Sequence, residues 1–409
     1  MGHRWISPTV TYLRATAFSL ALAGLFASPA RSDEAFQAWL GALRAEAEAD
    51  GISAETLDQA LTGVEPIERI IELDRRQPEF TESFWRYLDQ RVTDQRIERG
   101  RALLAEQAAL FREVERRYGV QPRFLAAFWG LESNYGSAPG DYPVIDALVT
   151  LAYDTRRGDF FRTQLLDALR ILDQGDIAYD RMKGSWAGAM GHVQFIPSTF
   201  AHYAVDEDGD GRRDIWDSLP DALASAANFL SRIGWDHNST WGREVRLPAD
   251  FPWELAGLDQ RKTLGEWQAL GVRRADGRDL PASPRTAALV APGGHAGPAF
   301  LVYQNFRVIL NWNRSVTYAV AVGHLADRLA GQGPLTAERP AAERPLSRRE
   351  VAELQERLLA KGFDPGPPDG IVGGRTRAAL RAFQRHADMP ADGYPSIEVL
   401  HRLRTSEGG

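Results

Sequence analysis

The chain has 409 residues, of which 44% are hydrophobic and 25% charged, a composition typical of soluble globular proteins with two or three domains. Its net charge of −7 argues against nucleic acid or an anionic membrane as the main partner, because both bind clustered Lys and Arg. The sequence contains no cysteine, which excludes disulfides, thiolate catalysis, cysteine-ligated zinc and a lipid attached to cysteine.

The N-terminus has the pattern of a secretory signal peptide. Arg4 and Arg14 give a positive start, residues 15–27 are an uncharged apolar run, and small residues follow up to Ser32. This pattern predicts a signal peptide over residues 1–32. The apolar run is shorter than the roughly 20 residues that a membrane-spanning helix needs, so we expect an exported protein without a membrane anchor.

The long middle part of the chain, residues 33–331, is mostly helical by its hydrophobic pattern. Amphipathic periodicity is clearest over residues 89–118 and 218–234, whereas strand-like patterns are confined to residues 287–290 and 306–310. We therefore predict a mainly α fold, formally α+β, with few short strands and helices arranged around a cleft.

A break and a small domain follow this part. Residues 332–346 contain the tetrapeptide Ala-Glu-Arg-Pro twice, and their prolines prevent regular helix, which predicts a semi-rigid linker. Residues 347–404 show three short helical patterns, the first introduced by Ser347 and Glu350 in the spacing of a capping box. The tail is therefore predicted to be a small three-helix domain.

Glu132 is the main catalytic candidate in the middle part. Pro122 and Gly136 suit the two ends of a helix on which Glu132 borders an apolar, largely aromatic face. No Lys or Arg lies three or four positions away, so burial should raise the pKa of this carboxyl. A general acid working near neutral pH requires such a shift. The alternative is a surface glutamate at a helix edge.

A second block, residues 184–200, combines small residues with Trp186, Gln194 and Phe195. Small residues let the backbone approach a ligand, while aromatic faces and amide groups are suited to binding sugar rings. The alternative is a close helix–helix contact made by the small residues.

These two blocks carry a family resemblance. Residues 128–136 and 184–198, with a third match at residues 311–318, closely resemble the membrane-bound lytic murein transglycosylase B family in order and spacing. The resemblance covers roughly residues 33–330. It implies a lysozyme-like catalytic core that cleaves the glycan strands of peptidoglycan, with Glu132 as the catalytic residue.

The resemblance also assigns the residues of the cleft. Ser185 and Gln194 match polar residues that orient the substrate and the glutamate, and Asn313 and Tyr318 match an asparagine and a tyrosine of the cleft. Trp312 stands where the family often has tyrosine, which implies stacking without a hydroxyl contact. With Phe195, which we expect to stack on sugar, the predicted substrate-binding residues are Ser185, Gln194, Phe195, Trp312, Asn313 and Tyr318.

The implied reaction uses one carboxylate, whereas ordinary glycosidases use two. Family members protonate the glycosidic oxygen and close a 1,6-anhydro ring on N-acetylmuramic acid, and this chemistry requires no cofactor. Asp141, Asp146 and Asp154 could supply a second carboxylate, so a muramidase that uses water stays open, as does a noncatalytic wall-binding scaffold. The histidines form no H-E-x-x-H pair, which argues against a zinc peptidase.

An acidic loop at residues 206–217 fits the calcium pattern D-x-D-x-D-G-x5-E, with Asp217 in the place of the final glutamate. Because Asp is one methylene shorter than Glu, Asp221 is an alternative ligand. The predicted ligands of a structural Ca²⁺ are Asp206, Asp208, Asp210, the Arg212 carbonyl, and Asp217 or Asp221. The alternative is a solvated acidic turn that helps to cap the next helix.

The tail carries a second resemblance. Residues 369–384 resemble part of the common three-helix peptidoglycan-binding domain, and the match extends over residues 347–404. A weak binder on a short linker would raise the concentration of substrate at the cleft. The implied partner is the peptidoglycan glycan strand and the implied location is the periplasm of a Gram-negative cell, while protein partners are not indicated.

Overall fold

The structure, a computed structural model, describes residues 29–75, 82–154, 156–340 and 344–405. The predicted signal peptide therefore lies outside the described residues, except that the backbone of its last four residues begins the first helix. Three residues of the predicted linker, 341–343, also lie outside them.

Most of the described residues are helical, which confirms the prediction of a mainly α fold. The helices within this part of the chain are α1 Pro29–Ala49, α2 Ala54–Leu61, α3 Glu68–Arg75, α4 Phe84–Arg91, α5 Asp94–Glu106, α6 Ala108–Tyr118, α7 Pro122–Ser133, α8 Val144–Tyr153, α9 Gly158–Asp173, α10 Pro197–Tyr203, α11 Leu219–Arg232, α12 Leu264–Ala269, α13 Gln304–Trp312, α14 Val316–Leu329, α15 Arg348–Ala360, α16 Gly374–His386 and α17 Ile397–Thr405.

Side-chain caps explain several helix boundaries. The amphipathic stretch 89–118 is divided between the end of α4, α5 and α6, because the Thr93 hydroxyl accepts the Arg96 N–H and starts a new helix. Ser218 caps α11 in the same way by accepting the Asp221 N–H, which confirms the helix predicted there.

The strands are β1 Tyr142–Pro143, β2 Lys183–Gly184, β3 Gly242–Arg246, β4 Gly257–Thr263, β5 Arg273–Arg274, β6 Thr286–Val290 and β7 Ala299–Val302. β1 pairs with β2, and the others form an antiparallel sheet in the order β4-β6-β7-β3-β5. Leu289 lies opposite Leu301 in the β6–β7 pair. The strand predicted at residues 287–290 is thus confirmed as part of β6.

The second predicted strand, residues 306–310, is wrong, because these residues lie within α13. The segment is rich in β-branched and large apolar residues, which favour strands in short windows. In the structure Asn305, Phe306 and Ile309 are buried along α13 with helical spacing. Tertiary contacts therefore determine that the segment is helical, because five residues are too few to distinguish the hydrophobic period of a strand, 2 residues, from that of a helix, 3.6 residues.

Three separate hydrophobic cores are present in the described residues. The largest lies among helices α1 to α11, α13 and α14, and it includes seven of the nine buried residues of α7. A second core lies on the other face of the sheet around Trp267. The third belongs to α15, α16 and α17.

The C-terminal helices follow the predicted pattern, with a capping box formed by Ser347 and Glu350. Two buried glutamine side chains close the loops of this unit. Gln355 accepts the Gly370 N–H at 2.9 Å, and Gln384 accepts the Gly393 N–H at 2.8 Å. Buried amides require such partners, so both loops are fixed by hydrogen bonds to the helices.

One buried carboxylate joins the C-terminal unit to the rest of the protein. Both the backbone N–H and the Nδ1 atom of His295 lie 2.8 Å from Asp392 Oδ2. The other oxygen of Asp392 accepts hydrogen bonds from Gln384 and from the Tyr394 N–H. Asp392 therefore stabilises its own loop with one oxygen and binds His295 of the main body with the other.

Over the described part of the chain, no helix has the combination of length and apolar character that crossing a bilayer demands.

A glycine in α14 allows this helix to pack against Trp241. A Cβ atom added at Gly323 would lie 2.1 Å from Trp241 Cδ2. We expect Gly323→Ala to lower the free energy of unfolding by about 1–3 kcal/mol through overpacking. The matched control is Gly41→Ala in α1, where a Cβ meets nothing within 4 Å and the better helix propensity should stabilise by about 0.5–1 kcal/mol. Chemical denaturation measures both, and equal effects would contradict this packing argument.

Candidate active site

Helix α7 places Glu132 in its last turn, beside a wall of aromatic rings. Phe128 precedes Glu132 by one turn on the same face, and its ring lies 4.4 Å from that of Trp312. The Trp312 ring also packs on Phe195 and Phe229, at 5.5 and 5.3 Å between ring centroids. The carboxyl of Glu132 therefore sits in an apolar surrounding, as its aromatic sequence neighbours predicted.

Two donors reach the same oxygen of this carboxyl from across the cleft. The Trp312 indole Nε1–H donates to Glu132 Oε1 at 3.0 Å, and the Tyr318 hydroxyl donates to the same atom. Trp312 ends α13 and Tyr318 lies in the first turn of α14, so the short connection between these helices fixes both donors.

Burial and hydrogen bonding act on the carboxyl in opposite directions. Burial raises the pKa of Glu132 from 4.5 to about 7, although the hydrogen bonds from Tyr318 and Trp312 stabilise the charged form and lower it. Burial also raises the pKa of Tyr318 well above its ordinary value, so its hydroxyl stays a donor. A carboxyl with a pKa of about 7 is suited to giving and taking a proton near neutral pH.

Trp312 differs from the expectation drawn from its sequence. The resemblance implied that a hydroxyl contact is lost where tryptophan replaces tyrosine, yet the indole N–H supplies a polar contact to Glu132 in its place. Phe195 also differs in its position, because it is only 2% exposed and packs against Trp312 and Phe229. It supports the aromatic wall from behind.

The loop over residues 184–196 contacts the segment that follows α7. The Gln194 amide nitrogen donates to Pro139 O at 2.7 Å and to Gly191 O at 3.0 Å, and Gln194 itself has a left-handed φ of 51°. The Ser185 hydroxyl accepts the Ala189 N–H at 3.0 Å. Both polar side chains thus hold the loop in its shape.

The small residues of this loop are explained by contacts within the protein. A Cβ added at Gly191 would lie 2.4 Å from Ile215 O, and one added at Gly188 would lie 2.5 Å from Leu148 Cδ2. Because these glycines lack a side chain, the chain can pack closely against itself at both positions. This favours the alternative interpretation of the block, close packing within the protein, over close approach of the backbone to a ligand.

Asn313 lies next to the two donors but faces another way. It is exposed, and its Oδ1 accepts the Ser315 N–H at 3.0 Å at the start of α14. Two of the three aspartates considered as second carboxylates are engaged elsewhere: Asp146 accepts the Tyr179 hydroxyl at 3.2 Å, and Asp154 pairs with Arg75 at 3.3 Å. The third, Asp141, is exposed just before β1.

The acidic loop brings together three of its predicted ligands. Asp206, Asp208 and Asp210 each offer a carboxylate oxygen, and these oxygens lie within 4.8 Å of one another. Such an arrangement of hard oxygen donors suits Ca²⁺. The Arg212 side chain pairs with Asp210 on the outside of the loop.

The two alternative closing ligands have other partners. Asp217 forms an ion pair with Arg181. Asp221 is fully buried, and its oxygens accept the N–H groups of Glu207 and Asp214, both at 2.8 Å. Asp221 therefore fixes the path of the acidic loop from beneath.

Sequence reasoning missed two contacts, one made by the adjacent face of α7 and one made by the turn that follows this helix. The Trp129 indole donates to His192 Nδ1 at 2.8 Å, and the Tyr135 hydroxyl donates to Arg96 O at 2.9 Å. No sequence pattern pairs residues this far apart. The position of Trp129 and His192 inside the two blocks that match the family was nevertheless a signal that both lie near the catalytic residue.

The hydrogen bond from Tyr318 can be tested through the titration of Glu132. Tyr318→Phe removes a donor that stabilises the carboxylate, so the Glu132 pKa should rise above its value of about 7. Carboxyl NMR over a pH series measures this. Tyr153→Phe is the control, because Tyr153 packs on Phe36 and Trp39 away from Glu132. A fall in the pKa would show that water entry outweighs the lost donor.

Comparison with known proteins places the chain in a family. Residues 35–327 match the family model "Transglycosylase SLT domain", and residues 347–403 match "Putative peptidoglycan binding domain". The membrane-bound lytic murein transglycosylase B of Escherichia coli (strain K12) is 28% identical over 303 residues, which cover 68% of this chain and 79% of the relative.

Solved structures agree. SltB3 from Pseudomonas aeruginosa, in complex with NAG-anhNAM-pentapeptide, is 51% identical with a TM-score of 0.87, covering 90% of this chain and 99% of that one. The Escherichia coli lytic transglycosylase Slt35, in complex with calcium, is 25% identical with a TM-score of 0.62, covering 72% and 92%. The chain therefore belongs to the SLT-domain family of lytic transglycosylases.

Proposed function

We propose that the protein cleaves the β-1,4 bond between N-acetylmuramic acid and N-acetylglucosamine in peptidoglycan and forms 1,6-anhydro-N-acetylmuramic acid. The observation that carries this proposal is Glu132, a single carboxyl whose pKa of about 7 comes from burial among aromatic rings. SltB3, at 51% identity, was solved with a fragment that contains an anhydro sugar.

In the proposed reaction Glu132 acts first as an acid. Its protonated carboxyl gives a proton to the glycosidic oxygen, the bond from that oxygen to C1 of N-acetylmuramic acid breaks, and the sugar's own N-acetyl carbonyl stabilises the positive charge at C1. The hydrogen bonds from Trp312 and Tyr318 to Oε1 stabilise the carboxylate that results.

Glu132 then acts as a base. Its carboxylate takes the proton of the C6 hydroxyl, and O6 bonds to C1, which closes the anhydro ring without water and restores the acid. A pKa of about 7 serves both steps, because the group must lose and regain the same proton. The engagement of Asp146 and Asp154 with other partners supports a mechanism with one carboxylate.

The remaining parts of the proposal concern binding and location. Trp312 and Tyr318, which contact Glu132, would line the glycan site, and the resemblance adds Ser185, Gln194 and Asn313 to it. Phe195, which is buried behind Trp312, would support this surface without touching the sugar. Residues 33–331 would form the catalytic domain, and residues 347–404 would bind peptidoglycan and keep the substrate near the cleft across the linker 332–346. The signal peptide pattern over residues 1–32 supports export to the periplasm.

Product analysis tests the reaction. The mature protein should release, from purified sacculi, muropeptides that end in 1,6-anhydro-N-acetylmuramic acid, as detected by mass spectrometry. Glu132→Gln should reduce release by at least about 10²–10⁴-fold, the usual effect of removing a general acid–base. Asp146→Asn is the matched control and should keep the activity.

Other outcomes would identify the alternatives. Products with reducing ends, each heavier by one water, would contradict the lytic reaction in favour of a hydrolase. Binding of sacculi without any release by the wild type would favour a noncatalytic wall-binding protein.

We also propose that the acidic loop binds a structural Ca²⁺ through Asp206, Asp208 and Asp210, supported by their grouped carboxylates and by the calcium complex of Slt35. Calcium would neutralise these carboxylates and hold the loop before α11. It would take no part in the proton transfers.

Calorimetric titration and thermal unfolding test the calcium site. Calcium should bind the wild type and raise its melting temperature, since a ligand at 100 times its Kd stabilises by about 2.7 kcal/mol. Asp208→Asn should weaken both effects. Asp217→Asn is the control, because Asp217 pairs with Arg181. If Asp217→Asn weakened binding as much as Asp208→Asn, Asp217 would be a ligand and the three-carboxylate assignment would be incomplete.

A further inference from the structure

The turn that follows Glu132 has an unusual backbone. Asn134, Tyr135 and Gly136 have successive φ values of 49°, 60° and 81°, all in the left-handed region. For residues other than glycine this conformation costs about 1–3 kcal/mol each and persists only where the surroundings impose it. Something must therefore hold the end of α7, which also determines where Glu132 lies.

His192 makes several contacts with this end of the helix. Its Nδ1 accepts the Trp129 indole N–H at 2.8 Å, and its carbonyl accepts the Ser133 hydroxyl at 2.6 Å. The Ser133 oxygen in turn accepts the Gly136 N–H at 2.9 Å. The imidazole also lies so close to Gly136 that an added Cβ would be 2.2 Å from His192 Cε1.

The hydrogen bonds define the state of the ring. An indole N–H can only donate, so His192 Nδ1 must be the unprotonated nitrogen of a neutral imidazole. The ring has a further hydrogen bond to the backbone of Trp216, and burial lowers its pKa, which agrees with a neutral state. The backbone N–H of His192 donates to the backbone carbonyl of Ile215 at 2.9 Å. His192 thus joins α7 to the end of the acidic loop.

These contacts bear on Glu132 because Trp129 and Ser133 lie in the same last turns of α7 as the catalytic candidate. Trp129 and Ser133 lie one turn apart on a face of α7 that is rotated by about 100° from the face of Phe128 and Glu132. Trp312 and Tyr318 hold the carboxyl from the cleft side. His192 holds the backbone of the same turn from the adjacent side.

We propose that His192 is a positioning residue for Glu132. Its imidazole accepts the Trp129 indole N–H and so keeps the last turn of α7 in place, while its backbone carbonyl accepts the Ser133 hydroxyl. This inference rests on the proposed role of Glu132 in peptidoglycan cleavage. A displacement of about 1 Å at a catalytic group can reduce the rate by about 10²-fold, so a contact that fixes the turn is expected to affect kcat more than KM.

A matched pair of variants tests the proposal. Asn and Leu have nearly the same shape, but only Asn offers an acceptor near the place of Nδ1. We expect His192→Leu to lower kcat by at least about 10-fold with KM nearly unchanged, and His192→Asn to retain most of the activity. In a Trp129→Phe background, His192→Leu should cause no further loss, because the two residues act through one hydrogen bond.

A second measurement does not depend on activity. Carboxyl NMR gives the Glu132 pKa, which should fall from about 7 towards its ordinary value in His192→Leu as the turn relaxes and water reaches the carboxyl, and should stay unchanged in His192→Asn. Thermal unfolding reports whether each variant is folded.

Three results would overturn the proposal. These are wild-type kcat in His192→Leu, an equal loss in the Asn and Leu variants with the Glu132 titration unchanged, and independent effects of the Trp129 and His192 substitutions. If the wild type released no anhydro product, the proposed function would fail, and the Glu132 titration in the two His192 variants would still decide whether His192 positions the carboxyl.

Discussion

Two opposing effects determine the pKa of the Glu132 carboxyl, and both depend on how the helices around it pack. Burial destabilises the charged form, while the Trp312 indole and the Tyr318 hydroxyl stabilise it at one oxygen. This balance requires α7 to lie against α14 and the end of α13 to lie over Phe128. The positions of these three helices are therefore tied to the proton chemistry of one residue.

The sequence predicted those parts of the site that depend on local pattern. The aromatic neighbours of Glu132 within one helical turn indicated its burial, and the spacing of Ser347 and Glu350 indicated the capping box of α15. Both are decided by residues close together in the chain. The family resemblance added Tyr318 and Trp312 to the cleft, although it gave no indication that the indole would donate to Glu132.

What the sequence could not predict depends on distant contacts. β7 is buried on both faces and lacks alternation, and β4 is polar and irregular, with a break in its pairing between Gly257 and Arg261. The pairing of Trp129 with His192 spans 63 positions, and each residue alone resembles an ordinary core side chain. Only the fold shows that they meet beside the catalytic turn.

Burying Glu132 also has a consequence for the whole protein, because the folded chain holds this proton more tightly than the unfolded chain does. Below about pH 4.5 the carboxyl is protonated in both states and has no effect on stability. As the pH rises to about 7, unfolding releases a proton that folding retains, so the folded state loses up to about 3 kcal/mol relative to an ordinary glutamate. The residue proposed to carry the chemistry thus weakens the fold most in neutral and alkaline solution, and the surrounding helices must supply the stability that it removes.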